Sequence, residues 1–262
     1  MEDRQFARLL AFFGYSWNGY RRVRRGVKKR AARHMSDLGC RNMDEYLEKL
    51  EGDPDILAEC RRRLTVSISR FFRDPVLWEI LEKRVMPEIA GREWARVWFA
   101  GCAAGEEVYS FRILWEEFTA GNKPSPRLSL TATDLVPEHL ERAQKSLYPG
   151  GALRDVDNDR LEKWFYRLKK DLYALKPSLK RGIDFRVHDL VADDPPEKEL
   201  DIVFLRNNLL TYCSEELFGE PLIRIIEALR PDAFLVIGAK EIMPESAVER
   251  VTRYDGCVYR KT

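Results

Sequence analysis

The sequence has 262 residues, 45% hydrophobic and 34% charged, with a net charge of +2, which suits one large domain or a small one beside a medium one with a filled core. No stretch approaches the ~20 apolar residues of a membrane span. Five scattered cysteines without a CxxC pair argue against a disulfide framework and a zinc site. With no secretory pattern in the opening MEDRQFARLL, a cytoplasmic setting is expected.

Helix signals fill the first part of the chain. Eight Lys or Arg residues and no acid lie between Arg21 and Arg33, so residues 21–33 read as a basic helix, with Gly39 as its stop. Asn42 followed by Glu45 has capping-box spacing, and Asp53-Pro54 and Asp74-Pro75 each set a capping acid before a proline suited to a first helical turn. No run here favours a sheet. A helical domain is expected over residues 1–70.

From about Arg92 short apolar runs alternate with helical stretches. ARVWFAG precedes a helix over Glu106 to Phe118, and LSLTATD precedes one over Pro137 to Ser146. IDFRVHD, DIVFLRN, a helix over Glu215 to Leu229 and AFLVIGA follow, then RYDGCVYRK as a last strand antiparallel to AFLVIGA. This alternation predicts an α/β domain over 71–262 with a mostly parallel sheet. The polar stretch of about 148–181, with Trp164 and Phe165 at its middle, breaks the pattern and reads as a small insertion.

Ligands of such sheets bind beyond the strands' carboxyl ends. The first strand ends in Gly101-Cys102-Ala103-Ala104-Gly105-Glu106-Glu107, the second in Asp134, and a later one in Arg206-Asn207. A dinucleotide loop wants three glycines and an open helix start for its pyrophosphate; here two glycines precede two carboxylates, which repel phosphate. They suit the ammonium or sulfonium of S-adenosylmethionine, with Asp134 placed for a ribose diol. Acids in a first helical turn also complement the dipole, and an Asp after a strand is often a cap; together and in this order the features favour the methyl donor. Five of the six tryptophans, Trp78, Trp94, Trp98, Trp115 and Trp164, lie among periodic apolar residues and read as core. The three histidines are dispersed, so no metal is expected.

Several segments resemble one family, the CheR-type chemotaxis-receptor glutamate methyltransferases. They are the run Leu64 to Asp74 (LTVSISRFFRD), the run Val97 to Ser110 (VWFAGCAAGEEVYS), Ala132-Thr133-Asp134-Leu135 with Leu140, Ala143 and Tyr148, then Leu205-Arg206-Asn207, and Gly238 with Glu241. The resemblance implies an N-terminal all-α domain, a Rossmann-like methyltransferase domain and a small inserted β-subdomain. It implies that Ser67, Ser69, Arg73, Gly101, Gly105, Glu107, Asp134, Asp189, Leu190, Arg206 and Asn207 meet the donor, S-adenosylmethionine. Arg73 suits an acceptor carboxylate as well, because a guanidinium clamps a carboxylate in a fixed fork.

This chain departs from the family pattern where Thr211 takes the place of a tyrosine near the acceptor and Tyr212 follows it. On a strand-like segment a shift of one residue reverses the face. Ser67 and Ser69 replace Asn and Thr, and the inserted stretch from Trp164 to Tyr173 lacks a glycine-bearing peptide-gripping loop. The leading expectation is a protein-glutamate O-methyltransferase acting on an acidic, helical, chemoreceptor-like protein docked by the basic helix, with no membrane insertion. Transfer to another acceptor and a non-catalytic donor-binding regulator are the alternatives. A nucleic-acid contact through the basic helix ranks last, since aromatics beside it are sparse.

Overall fold

A computed structural model describes residues 1–121 and 126–262, which divide into two compact units, Met1–Val66 with Asn207–Gly219, and Ser67–Arg206 with Glu220–Thr262. The first unit therefore takes back a segment that the sequence assigns to 71–262, and Ser67–Arg70 passes to the second. The reason is local pairing: Tyr15 and Cys213 form an antiparallel bridge, the Ser16 N–H donates to the Tyr212 carbonyl at 2.8 Å, and Ser214 N–H to Gly14 at 2.8 Å.

The first unit is built from α1 (Asp3–Phe12), α2 (Arg24–Asp37), α3 (Met43–Gly52) and α4 (Pro54–Leu64). Caps set their ends as the sequence predicts. Asn42 Oδ1 accepts the Glu45 N–H at 3.0 Å, Asp53 Oδ1 accepts from Asp55 and Ile56, and Gly39 adopts φ +70° beyond the end of α2. Phe6, Leu9, Val27, Ala31, Tyr46, Leu50 and Leu64 face one core. The basic segment is two elements rather than one helix: a 3₁₀ turn, Gly19–Arg22, and then α2. Val27, Ala31 and His34 of α2 are buried, whereas Arg25, Lys29 and Arg33, spaced by four, lie exposed along another stripe. Arg30 donates to the carbonyls of Arg63 and Thr65 at 2.8 and 2.7 Å, a cation at the end of α4.

The second unit opens with α5 (Pro75–Ile80), a π-helical turn and α6 (Met86–Ile89). Then come β1 (Trp94–Ala100), α7 (Glu106–Gly121), β2 (Arg127–Asp134) and α8 (Pro137–Lys145). The insertion holds β3 (Leu147–Pro149), α9 (Asn158–Trp164), β4 (Phe165–Lys169) and β5 (Leu172–Leu175), paired antiparallel in the order β3-β5-β4. After it run β6 (Ile183–Val187) and β7 (Leu200–Leu205), the one-turn α10 (Leu209–Tyr212) in the first unit, α11 (Glu215–Ala228), β8 (Leu229–Ile237), α12 (Glu245–Val248), β9 (Val251–Asp255) and β10 (Val258–Lys261).

The main sheet has the order β6-β2-β1-β7-β8-β10-β9, with β6, β2, β1, β7 and β8 parallel. The stretch RYDGCVYRK gives a hairpin rather than a single strand, because Gly256, at φ +53°, turns the chain; β10 then runs antiparallel to β8 as expected. Every residue of β7 is buried, as a central parallel strand requires. Its one acid, Asp201, is compensated by Arg92, by Arg230 at 2.7 Å and by the Arg96 N–H at 2.7 Å. Of the tryptophans expected in the core, Trp78, Trp98, Trp115 and Trp164 are buried or packed on it, but Trp94 stands exposed at the start of β1. No helix among the described residues is long and apolar enough to cross a membrane.

Candidate functional site

Strand order runs outward from β1 through β2 to β6, then resumes on the other side at β7. The switch point lies between β1 and β7, and the region beyond their carboxyl ends is where sheets of this kind bind ligands. Gly101 and Gly105 close the turn after β1 with φ +85° and +84°. A Cβ on Gly105 would also sit 2.9 Å from that of Ala143 on α8, so the turn needs glycine for space as well as for conformation.

Asp134, at the end of β2, is the strut of this turn. It is buried, its Oδ2 accepts the Ala103 N–H at 2.9 Å, and its Oδ1 accepts from Val136 N–H at 3.0 Å and lies 3.0 Å from His139 Nδ1. Ala103 has φ +50°, a conformation that costs a non-glycine residue about 1–3 kcal/mol and persists where surroundings impose it. The carboxylate offers roughly four lone-pair sites, of which two backbone N–H groups take two and His139 stands beside a third. The Tyr148 hydroxyl donates to the Ala104 carbonyl at 2.8 Å and fixes the same turn from β3.

The two acids that begin α7 have different surroundings. Glu106 is buried, burial pushes its carboxyl up, and its Oε2 has no hydrogen-bond partner among the described residues. Glu107 binds Arg206 across the switch point through Oε1. Arg206, whose side chain is 3% exposed, carries a second carboxylate, Asp74, at 2.5 Å. Carboxylates rather than open backbone donors occupy the start of α7, which repels a phosphate and suits a cationic ligand. The residues present thus fit a sulfonium or ammonium group and not a pyrophosphate.

Arg73 lies between two left-handed residues, Phe72 at φ 50° and Asp74 at φ 60°. Its Nη1 donates to the Ile68 carbonyl at 3.3 Å, and about a third of its side chain is exposed. Ser67 is exposed and Ser69 half-buried. After β6, Asp189 Oδ1 accepts the Val191 N–H at 3.0 Å and its own N–H donates to Asp193 at 2.8 Å, with Leu190 half-buried beside it. The His188 N–H donates to the Asp134 carbonyl at 3.0 Å and ties this loop to the end of β2.

Asn207, Thr211 and Tyr212 belong to the first unit. Residues 209–212 form a helical turn rather than a strand, so one residue of shift turns a side chain by ~100° and not to the opposite face. The Tyr212 ring packs on Tyr20 at 4.9 Å within the helical core. Sequence reasoning missed Ser110, whose Oγ accepts the Phe72 N–H at 2.9 Å, and the ion-pairing role of Asp74; Ser110 stands in the VWFAGCAAGEEVYS run and was legible there.

A parallel sheet that switches direction beside a two-glycine turn, with acids where a dinucleotide fold keeps its phosphate site, defines a Rossmann-like S-adenosylmethionine-dependent methyltransferase domain. More narrowly, the chain belongs to the CheR methyltransferase family: the model of that family's S-adenosylmethionine-binding domain matches residues 67–256. A chemotaxis protein methyltransferase of Listeria innocua is 31% identical over 220 residues, covering 83% of this chain and 81% of the relative. An uncharacterized 104.1 kDa protein of Rhodobacter capsulatus is 32% identical over 221 residues, and there the chain spans only 23% of the relative's length. Among solved structures, a methyltransferase from Methanosarcina mazei overlaps 59% of this chain and 56% of its own, with 13% identity and a TM-score of 0.34.

Proposed function

We propose that this protein transfers the methyl group of S-adenosylmethionine to a glutamate side-chain carboxylate of a chemoreceptor-like signalling protein in the cytoplasm. The observation that supports a carboxylate acceptor is Arg73, a partly exposed guanidinium fixed between two left-handed residues on the segment that leads into α5. A fork of this kind aligns a carboxylate with little residual freedom. The donor, when bound, supplies an electrophilic methyl on sulfur. Glu107, Asp134 and the turn from Gly101 to Gly105 would hold it, with Ser67, Ser69, Asp189, Leu190 and Arg206 around them. The acceptor is already ionised at neutral pH, so no side chain has to remove a proton. One carboxylate oxygen forms the bond to the methyl carbon as the carbon–sulfur bond breaks, leaving a methyl ester and a neutral thioether.

The exposed stripe of Arg25, Lys29 and Arg33 on α2 suits an acidic helical partner. A second reading has its own observation: Thr211 replaces the family's tyrosine and Tyr212 is packed on Tyr20, which favours a different acceptor. Incubation with methyl-labelled donor and an extract of the source cells tests both. Base-labile label on protein supports a carboxyl ester; base-stable label moves the assignment to another acceptor; donor binding with no transfer leaves a regulatory donor-binding protein.

A further inference from the structure

Asp74 precedes Pro75 as Asp53 precedes Pro54, and each looks like a helix cap in the sequence. Asp53 serves as one. Asp74 does not: no helix N–H reaches its side chain, and its backbone is left-handed at φ 60°, ψ 73°. Its carboxylate turns instead toward two guanidiniums, with Oδ2 at 2.5 Å from Arg206 Nη2 and 3.9 Å from Arg73 Nε. Arg206 binds Glu107 with its other terminal nitrogen. Arg73, Asp74, Arg206 and Glu107 thus follow one another with alternating sign, from the segment before α5 to the first turn of α7.

The backbone on both sides of Arg73 is held as well. The Phe72 N–H donates to Ser110 Oγ at 2.9 Å, Trp78 Nε1–H donates to the Arg73 carbonyl at 2.8 Å, and Leu77 N–H to the Asp74 carbonyl at 2.9 Å. Left-handed non-glycine residues persist where the surroundings over-determine them, and they gather at functional sites. Here a capping bond is forgone and an unfavourable backbone kept, and what the chain gains is the reach of Asp74 to Arg206.

We propose that Asp74 is a positioning residue for methyl transfer. It fixes the Arg73 guanidinium for the acceptor carboxylate and, through Arg206, ties it to Glu107 on the donor side. This rests on the reading of Arg73 as the acceptor clamp. Asp74 is held by its shorter bond to Arg206, and its longer 3.9 Å contact with Arg73 is the one that an incoming carboxylate would replace.

The test uses Asp74→Asn, which removes the charge, and Asp74→Gly, which also removes the backbone penalty. In both, base-labile transfer from S-adenosyl-[methyl-³H]methionine to extract protein at saturating donor should fall at least tenfold. The Kd of S-adenosylhomocysteine should stay within threefold of wild type. Hydrogen exchange of the Trp78 indole N–H, followed by NMR, should quicken at least tenfold in Asp74→Asn, because that proton bonds the Arg73 carbonyl. Exchange within twofold of wild type would overturn the proposal, and so would full activity of Asp74→Gly, which would reduce Asp74 to a strained turn residue. A wild type that transfers no base-labile label overturns the acceptor reading and the catalytic half of this proposal with it. Indole exchange then separates that failure from a failure of Asp74 to hold the segment.

Discussion

A methyl group placed on the Gly19 Cα would lie 1.9 Å from the Thr211 carbonyl oxygen and 3.0 Å from its carbon. Those atoms are backbone, and no side chain can swing away to make room. Gly19 is therefore the point where the 3₁₀ turn of the first unit touches α10, and Tyr20 beside it packs on Tyr212.

Gly19→Ala should destabilise the protein by about 1–3 kcal/mol, the usual cost of forcing extra volume into a packed contact. Gly26→Ala is the matched control, since a Cβ there meets nothing within 4 Å in the first turn of α2; it should stabilise by about 0.5–1 kcal/mol. Urea unfolding of the two variants checks both signs. Equal stability of Gly19→Ala and wild type would mean that α10 yields at no cost.

What the sequence disclosed, and what it hid, follows the range of the interactions. Asp53, Asn42 and Gly39 act on residues within a few positions, and their caps are legible. The alternation of ARVWFAG, LSLTATD and DIVFLRN with helices carries the sheet, because each strand's burial is written in its own run. Asp74 looks locally like a second cap, and its diversion depends on Arg206, 132 residues away. The return of Asn207–Gly219 to the helical unit likewise rests on partners such as Tyr15 and Gly14, far away in sequence. Four residues of α10 are too few to show a helical period, so the segment around Thr211 read as strand.

Acid should weaken the first unit through His34. Its Nδ1 lies 2.7 Å from the Tyr46 hydroxyl, which lies 3.1 Å from Cys60 Sγ, all buried. Burial holds the His34 pKa below 6.5; Arg63 pushes the same way, against Glu59 and Asp37. Burial also pushes the Cys60 thiol up to about 11 and Tyr46 well above its usual range, so both keep their protons. The neutral imidazole then shares a hydrogen bond with the Tyr46 hydroxyl, its direction set by the tautomer. A depressed histidine contributes stability that is fully present above about pH 6.5 and is lost as pH falls through the lower folded value. The limiting slope is about 1.4 kcal/mol per pH unit for one proton. Urea midpoints between pH 7.5 and 5 should show this fall in wild type, and His34→Gln should flatten it. An equal slope in the variant would assign the acid sensitivity to other groups.

Encounter with the acceptor should depend on α2 and chemistry should not. Lys28 is engaged with Asp3 at 2.6 Å and the Arg24 guanidinium stacks on Trp17, so reversing either would disturb packing. Arg25, Lys29 and Arg33 are exposed, and none has an ion-pair partner among the described residues. Changing these three to Glu should raise the apparent KM for a protein acceptor at least tenfold while leaving S-adenosylhomocysteine affinity unchanged. Wild-type rates at low acceptor should fall with added salt, because exposed charges are screened over about 10 Å at 0.1 M. Rates indifferent to salt, with an unchanged KM in the triple variant, would remove α2 from docking.

Arg73 bears the heaviest load in the proposed chemistry. Its Nη1 donates to the Ile68 carbonyl, and a guanidinium carries its donors in a fixed planar fork. Lysine keeps the charge but offers a single rotating ammonium, so it cannot hold a carboxylate by two parallel bonds. Arg73→Lys should therefore lower kcat about a hundredfold, equivalent to about 2.7 kcal/mol of lost positioning. The affinity for S-adenosylhomocysteine should change much less, since Glu107, Asp134 and the glycine turn are untouched. Turnover within twofold of wild type would show that no carboxylate is clamped there and would turn attention to a different acceptor. Thr211→Tyr completes the pair in the same assay. If the missing tyrosine limits carboxyl methylation, this substitution should raise base-labile transfer, whereas Arg73→Lys in that background should again lower it about a hundredfold.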